Sequence, residues 1–304
     1  VDPTGAVIMF GGIYYGAQFG GSTTSILLNT PGESSSMVTA LEGNLMARNG
    51  RAGPALATAA IGSFVAGTIA TLLLTLFAPI VATLALKFGP AEYFAILVLS
   101  FTTVSAVLGA SMLRGFASLG IGLTIGLIGL DSTSGIARYT MGVPEMVDGI
   151  EVVLVAVGLF AVGEALYSLL YQKEEDAGRH RMTSLWMTRS DWKRSIPAWI
   201  RGTMIGFPFG SIPAGGAEIP TFLSYSAERK LSKYPEEFAA SKGKGAIEGV
   251  AGPESANNAA ASSSFIPLLT LGIPGNASTA MIFAALLIHG ITPGPFLLKE
   301  HADV

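Results

Sequence analysis

Ser22, Thr23, Thr24, Asn29 and Thr30 crowd the stretch GGSTTSILLNTPGESSS (residues 20–36), which breaks at Pro31-Gly32 and continues into Glu33 and three serines. Far along the chain, SSSFIPLLTLGIPGNAST (262–279) does almost the same. There Asn257, Asn258 and Ser262 to Ser264 lead through an apolar run to Pro274-Gly275, followed by Asn276, Ser278 and Thr279. Apart from Glu33, the polar side chains of both stretches are neutral donors and acceptors, placed beside a pair that interrupts a helix. At an interruption one half-helix turns free N–H groups and a positive dipole end outward, which suits an anion. The other half offers free carbonyls, which suit Na+ or a proton-carrying water. Any single hydroxyl has a second reading, because Ser and Thr also pack membrane helices together.

The elements that position these groups are apolar. Half of the 304 residues are hydrophobic and only 13% are charged, where soluble domains carry about 25%; the mean hydropathy is +0.54. Residues 54–86 contain no ionisable side chain, and such a run is long enough to cross a bilayer core of roughly 30 Å. Further apolar runs are Val7–Phe19, Tyr93–Leu113, Phe116–Leu130 and Ile150–Tyr171. The long run, Ala55–Leu86, is one tilted span or a span broken at Pro79. Thr203–Ile219, cut by Pro208, Pro213 and paired glycines, reads as a broken or re-entrant hairpin, and Phe265–Leu271 and Ala280–Ile288 flank the second Pro-Gly. The composition therefore predicts an all-α polytopic membrane protein.

Charge location orients the spans. Crossing at each one puts Arg48 and Arg51, Arg114 and the basic segment 173–201 on one side, which is then cytoplasmic. Lys87 to Glu92 and the loop 131–149 fall on the other. Segment 173–201 carries Trp186, Trp192 and Trp199 and reads as a linker, either lying on the membrane surface or simply solvated. It divides a first repeat, 1–172, from a second, 202–304. The chain starts at Val1 without a signal sequence, so it is expected to be an internal part of a longer protein, truncated at both ends.

Matched broken segments in two halves are the mark of secondary transporters, whose sites lie at the interface of inverted repeats. Non-helical backbone survives at membrane depth only against protein or a water-filled cavity, so each Pro-Gly break implies a cavity. The substrate-binding candidates are Ser22, Thr23, Thr24, Asn29, Thr30, Pro31 and Gly32 from the first copy, with Asn257, Asn258, Pro274, Gly275, Asn276 and Ser278 from the second. Lys and Arg are absent from these segments, so dipoles and neutral groups would hold the anion.

GIYYGAQFGGSTTSILLNTPGE (12–33) and GAIEGVAGPESANNAAASSSFIPLLTLGIPG (245–275) closely resemble the large membrane subunit of the tripartite tricarboxylate transporters, the TctA type. So do FGPAEYFAILVL (88–99), IGLDSTSGIARYTMGVPEMVDGI (128–150) and GLFAVGEAL (158–166). The resemblance implies a bacterial inner-membrane permease working with a small membrane subunit and a periplasmic solute-binding protein. It further implies cation-coupled uptake of carboxylates such as citrate. Family members are longer, and Ala214 follows Pro213 where the family pattern has Gly.

Glu33, Glu248 and Glu254 are the candidates for cation coupling, since acids within membrane segments are functional by default; Glu33 also suits a helix-capping role, and Glu218 stands in a similar setting. His289 beside Gly290 fits a helix C-terminal cap, and Asp131 with Arg138 a loop pair or a contact for the binding protein. Gly122, Gly126 and Gly129 have the spacing of close helix packing. With no Cys and only three His, at 180, 289 and 301, neither a thiolate site nor a multi-His metal centre is expected. No phosphate-binding glycine motif or nucleophile–base ordering is present, so neither an enzyme nor a bound cofactor is expected beyond the coupling ion, Na+ or H+. The rival readings are a passive anion channel and a membrane scaffold or receptor that does not transport.

Overall fold

In the computed structural model of the chain the described residues are 3–87, 89–92, 94–95, 98, 112–130, 136–150, 155, 162, 166, 169–170, 184–213 and 216–297. The chain forms two compact units, 1–100 with 174–304, and 101–173. The expected spans Tyr93–Leu113 and Ile150–Tyr171 lie largely outside the described residues, as does Asp131.

In the first unit α1 (Pro3–Leu28) runs straight through the hydroxyl cluster for 26 residues, far beyond the short Val7–Phe19 run that hydropathy marks. It stops where Asn29 takes a left-handed φ of 56° and Pro31 has no N–H to continue the ladder. A 3-10 turn, Ser34–Ser36, follows Glu33 and leads into α2 (Met37–Met46). A kink at Asn49-Gly50 separates α2 from α3 (Ala52–Ala85). Helix α3 passes through Pro79 unbroken, and its 34 residues make about 51 Å, ample for a tilted span.

Side chains on α3 are arranged as lipid demands. Ala52, Ala55, Ala59, Ser63, Ala66 and Ala70 form the buried stripe, while Phe64, Leu72, Leu76, Phe77, Ile80 and Leu84 are exposed. Small residues let helices approach, and large apolar ones face outward where no hydrophobic drive pulls them in.

Residues 173–183 of the expected linker lie outside the described residues, and 189–201 are helical. Thr188 and Asp191 form a reciprocal cap that starts α5 (Arg189–Gly210). Trp199 is buried, donating its indole N–H to the Thr58 carbonyl of α3 at 3.2 Å, and Trp192 packs edge-on against it. Neither a surface-lying segment nor a solvated loop describes Trp192 and Trp199; of the three tryptophans only Trp186 is exposed. After the turn at Pro213 come α6 (Glu218–Leu231), α7 (Glu248–Ser263), α8 (Phe265–Leu271) and α9 (Ala277–Ile288). His289 occupies the C-cap of α9.

Helix α7 is the core of this unit. Every residue from Glu248 to Ser263 is buried, although the sequence EGVAGPESANNAAASS is polar. Its closest neighbour is α5, whose Gly202, Gly206 and Gly210 face it at four-residue spacing. A methyl group at any of the three would lie 2.2 Å from the carbonyl oxygen of Gly252, Ala256 or Ala260 respectively. Of the packing row expected at Gly122, Gly126 and Gly129, the first two have no such neighbour among the described residues, while a methyl at Gly129 would lie 2.9 Å from the Gly149 α-carbon.

The second unit contains α4 (Met112–Gly126) and a minimal antiparallel hairpin, β1 (Gly129–Leu130) with β2 (Ala137–Arg138), pairing Leu130 with Ala137. The hairpin departs from the all-α expectation by a two-residue ladder.

Candidate functional site

The hydroxyls of the first cluster are engaged by their own helix. Ser22 donates to the Phe19 carbonyl at 2.7 Å, Thr24 to Gly21 at 3.1 Å and Ser25 to Gly21 at 2.8 Å. Ser25 also meets Ser36 across the break at 2.9 Å, and Thr30 donates to Leu28 at 3.3 Å. Gly32 folds back on α1 so closely that a methyl there would lie 2.5 Å from the Gly21 α-carbon. Asn29, Pro31 and Gly32 are exposed, and Thr23 is half-buried.

Beyond Gly32, Glu33 accepts a hydrogen bond from the amide of Asn257 at 2.9 Å. The next residue of α7, Asn258, gives its amide to Glu254 at 3.2 Å and to the Ser63 hydroxyl at 2.8 Å. Glu254 is fully buried and also accepts from Thr39 at 2.9 Å and Ser63 at 3.5 Å. The carbonyl oxygens Oδ1 of Asn257 and Asn258 are buried without a hydrogen-bond partner, which is costly for a polar atom out of water.

The second break lies against the same two helices. Gly272 closes α8 with a left-handed φ of 69°, and Asn276 caps α9 by accepting from the Thr279 N–H at 2.9 Å. The Asn276 amide then donates to the hydroxyl of Tyr14 at 2.7 Å. Gly275 faces Ser264, where a methyl would approach Cβ to 3.3 Å; Pro274 is half-buried and Ser278 exposed. Measured along α1 from Gly21 to Tyr14, the two breaks are about 10 Å apart, and along α7 from Asn257 to Ser264 the interval is the same.

Glu248 stands elsewhere. About 14 Å back along α7 from Asn257, it is clamped by Arg194 at 2.8 Å and by the Ser232 hydroxyl at 3.2 Å. Arg194 also bonds Glu237 at 2.6 Å and lies 4.7 Å over the Tyr234 ring. Arg201 holds the buried Glu228 at 2.8 Å, and Arg51 pairs with Asp191. That last pair joins the two basic segments, 48–51 and 173–201, which charge counting puts on one side. Glu33 and Glu254 are thus brought to adjacent asparagines, whereas Glu248 belongs to an ionic cluster at the basic end of the unit.

Composition alone did not single out Tyr14, Gln18, Thr39, Ser63 or Glu42. Tyr14, Gln18, Gly21 and Ser25 recur at helical spacing and are all buried, with Ser35 donating to Gln18 at 3.5 Å. That polar stripe on α1 was the available signal. Thr39 and Ser63 give none, because each is a lone hydroxyl in an apolar run.

Large apolar residues face outward on α3, while the polar helix α7 is buried. The chain belongs to the tripartite tricarboxylate transporter TctA family, whose model matches residues 1–304. It is 52% identical over 299 residues to an uncharacterised 52.8 kDa protein of Agrobacterium vitis from the TAR-I ttuC' 3' region, covering 98% of this chain and 59% of that relative. An uncharacterised protein of the same organism's TAR-II ttuC' 3' region is 60% identical over 95 residues, 31% of this chain and 38% of that relative. The chain thus spans 59% of the length of the longer-matching relative. No solved structure matches it.

Proposed function

We propose that this chain carries the transport site of a large permease subunit that takes up tricarboxylates or related carboxylates across the bacterial inner membrane. In this reading it works with a small membrane subunit and a periplasmic solute-binding protein, and Na+ or H+ entry drives accumulation. The protein crosses the membrane several times, and its two Pro-Gly breaks belong to two inverted repeats, the second of which includes the helix α5 that starts at Arg189.

The observation that carries the proposal is the placement of both Pro-Gly breaks against α1 and α7, joined to them by Glu33–Asn257 and Tyr14–Asn276. Broken helices facing each other across a buried polar core are how transporters bind substrate. The first N–H groups of α9 have no intrahelical acceptor and suit a carboxylate. Ser22, Thr23, Thr24, Asn29 and Thr30 shape the first break, with Asn257 and Asn258 of α7 against it, and Asn276 and Ser278 shape the second. Glu33 and Glu254 are the coupling residues; Glu248, locked to Arg194, serves the closed basic end.

The experiment uses the full-length protein with its two partner subunits in proteoliposomes. Labelled citrate should accumulate above equilibrium only under an imposed Na+ or H+ gradient. Equilibration regardless of gradient would instead establish a channel. Failure of citrate and of a panel of other carboxylates to move would reject transport.

A further inference from the structure

Glu33 and Glu254 create a difficulty for any anion held at the two breaks, the site proposed above and the one on which this inference rests. Glu33 is held by Asn257 and Glu254 by Asn258, Thr39 and Ser63. All of these partners are neutral, and among the described residues neither carboxylate takes part in an ion pair. The titratable groups facing Glu33 are Tyr14, Glu218 and Glu254, and those facing Glu254 are Tyr15 and Glu33. None brings positive charge.

The asparagines supply an independent observation. Asn257 and Asn258 are 1% and 0% exposed, each gives its amide nitrogen to a carboxylate, and each keeps a buried Oδ1 with no partner. Carboxylate and amide oxygens side by side form a hard-oxygen ligand set. A proton on either carboxyl group would find its acceptor in the same Oδ1 once the amide turned over.

We infer that one monovalent cation, Na+ or H+, is held at each of Glu33 and Glu254, and that both are in place before an anionic substrate enters. Each carboxylate molecule taken up then carries at least two cations. Like charges repel, the more so as water is displaced, so an ionised Glu33 beside the first break opposes entry of the substrate. With both acids neutralised, the helix N-termini decide the local potential. Coupling follows from this mutual requirement, as binding linkage demands.

The test uses the full-length permease with its partner subunits in proteoliposomes and labelled citrate as the probe. Na+ is varied at fixed pH, and pH at fixed Na+, to tell the two cations apart. Wild-type uptake should rise with the coupling cation with a Hill coefficient of about 2, falling to about 1 in Glu33→Gln and in Glu254→Gln. The double variant should take up citrate without regard to the cation. A direct count in the wild type, independent of how the variants fold, should give two or more cations entering per citrate. A count of one, or an unchanged Hill coefficient in both single variants, overturns the inference while leaving coupled transport standing. Wild-type citrate flux indifferent to both cations overturns the transport reading and the inference together.

Discussion

The hydroxyl of Tyr14 accepts a 2.7 Å hydrogen bond from the amide of Asn276, so the first helix of the chain holds the residue that caps α9. Tyr14 is 4% exposed, and Asn276 already spends its carbonyl on Thr279. Tyr14→Phe therefore strands a half-buried donor, at a cost of about 1–3 kcal/mol. A lower unfolding temperature in detergent and a raised KM for carboxylate uptake are expected together. A variant with wild-type values for both would show that the second break does not lean on α1.

Gly206 tests the contact between α5 and α7. Its α-carbon is so near α7 that a single methyl would lie 2.2 Å from the Ala256 carbonyl, and overpacking of this kind costs typically about 1–3 kcal/mol. Gly206→Ala should reduce the yield of folded protein and its thermal stability. Gly16→Ala, on an exposed face of α1 with nothing within 4 Å, should be silent or slightly stabilising, since Ala favours helix over Gly. Equal behaviour of the two variants would contradict the close approach.

Arg194 and Glu248 form a largely buried pair, with side chains 15% and 7% exposed. Removing one partner from such a pair strands a charge and costs roughly 3–5 kcal/mol, whereas replacing both by apolar groups is often neutral. Arg194→Met should be severely destabilising, and Arg194→Met with Glu248→Met should recover much of the loss. Thermal unfolding of the two variants decides it; no recovery in the double variant would mean that the pairs with Glu237 and Tyr234 matter more.

Glu42 is a buried carboxylate that composition did not mark. It accepts from the Tyr225 hydroxyl at 2.6 Å and from the backbone N–H groups of Ala239 and Ala246 at 2.8 and 2.9 Å, so α2 grips the segment that leads into α7. Glu42→Gln turns an amide N–H2 towards donors and should loosen residues 239–246. Faster hydrogen exchange there, and quicker tryptic cleavage after Lys242 and Lys244, are the expected readouts. Unchanged exchange would show that the segment is held by Phe238 packing alone.

Much of the bundle was legible beforehand. The breaks at Pro31-Gly32 and Pro274-Gly275, the turn at Pro213 and helices α8 and α9 all follow from local rules: Pro lacks an N–H, and Asn and Gly tolerate the left-handed φ that Asn29 and Gly272 take. The shared side of residues 48–51 and 173–201 followed from charge counting, and the Arg51–Asp191 pair agrees with it. Two boundaries misled. Hydropathy ended the first helix at Phe19 because hydroxyls lower the average, yet Ser22, Thr24 and Ser25 satisfy themselves on helix carbonyls and leave α1 intact. The Trp-bearing segment read as a linker because its charge is high, but Asp191, Arg194 and Arg201 are in ion pairs and Trp199 is buried.

What the sequence determined by itself is therefore the interruptions at the two Pro-Gly pairs and the apolar runs beside them, because each depends on residues within a turn or two of one another. Which acids become site residues was decided only by tertiary structure. Glu33, Glu248 and Glu254 look alike in sequence; packing sends Glu248 to Arg194 and the other two to Asn257 and Asn258. The reason is geometric. Adjacent positions on a helix point about 100° apart, so what Asn257 and Asn258 each meet depends on the helices pressed around α7. The glycine row of α5 sets one of those approaches.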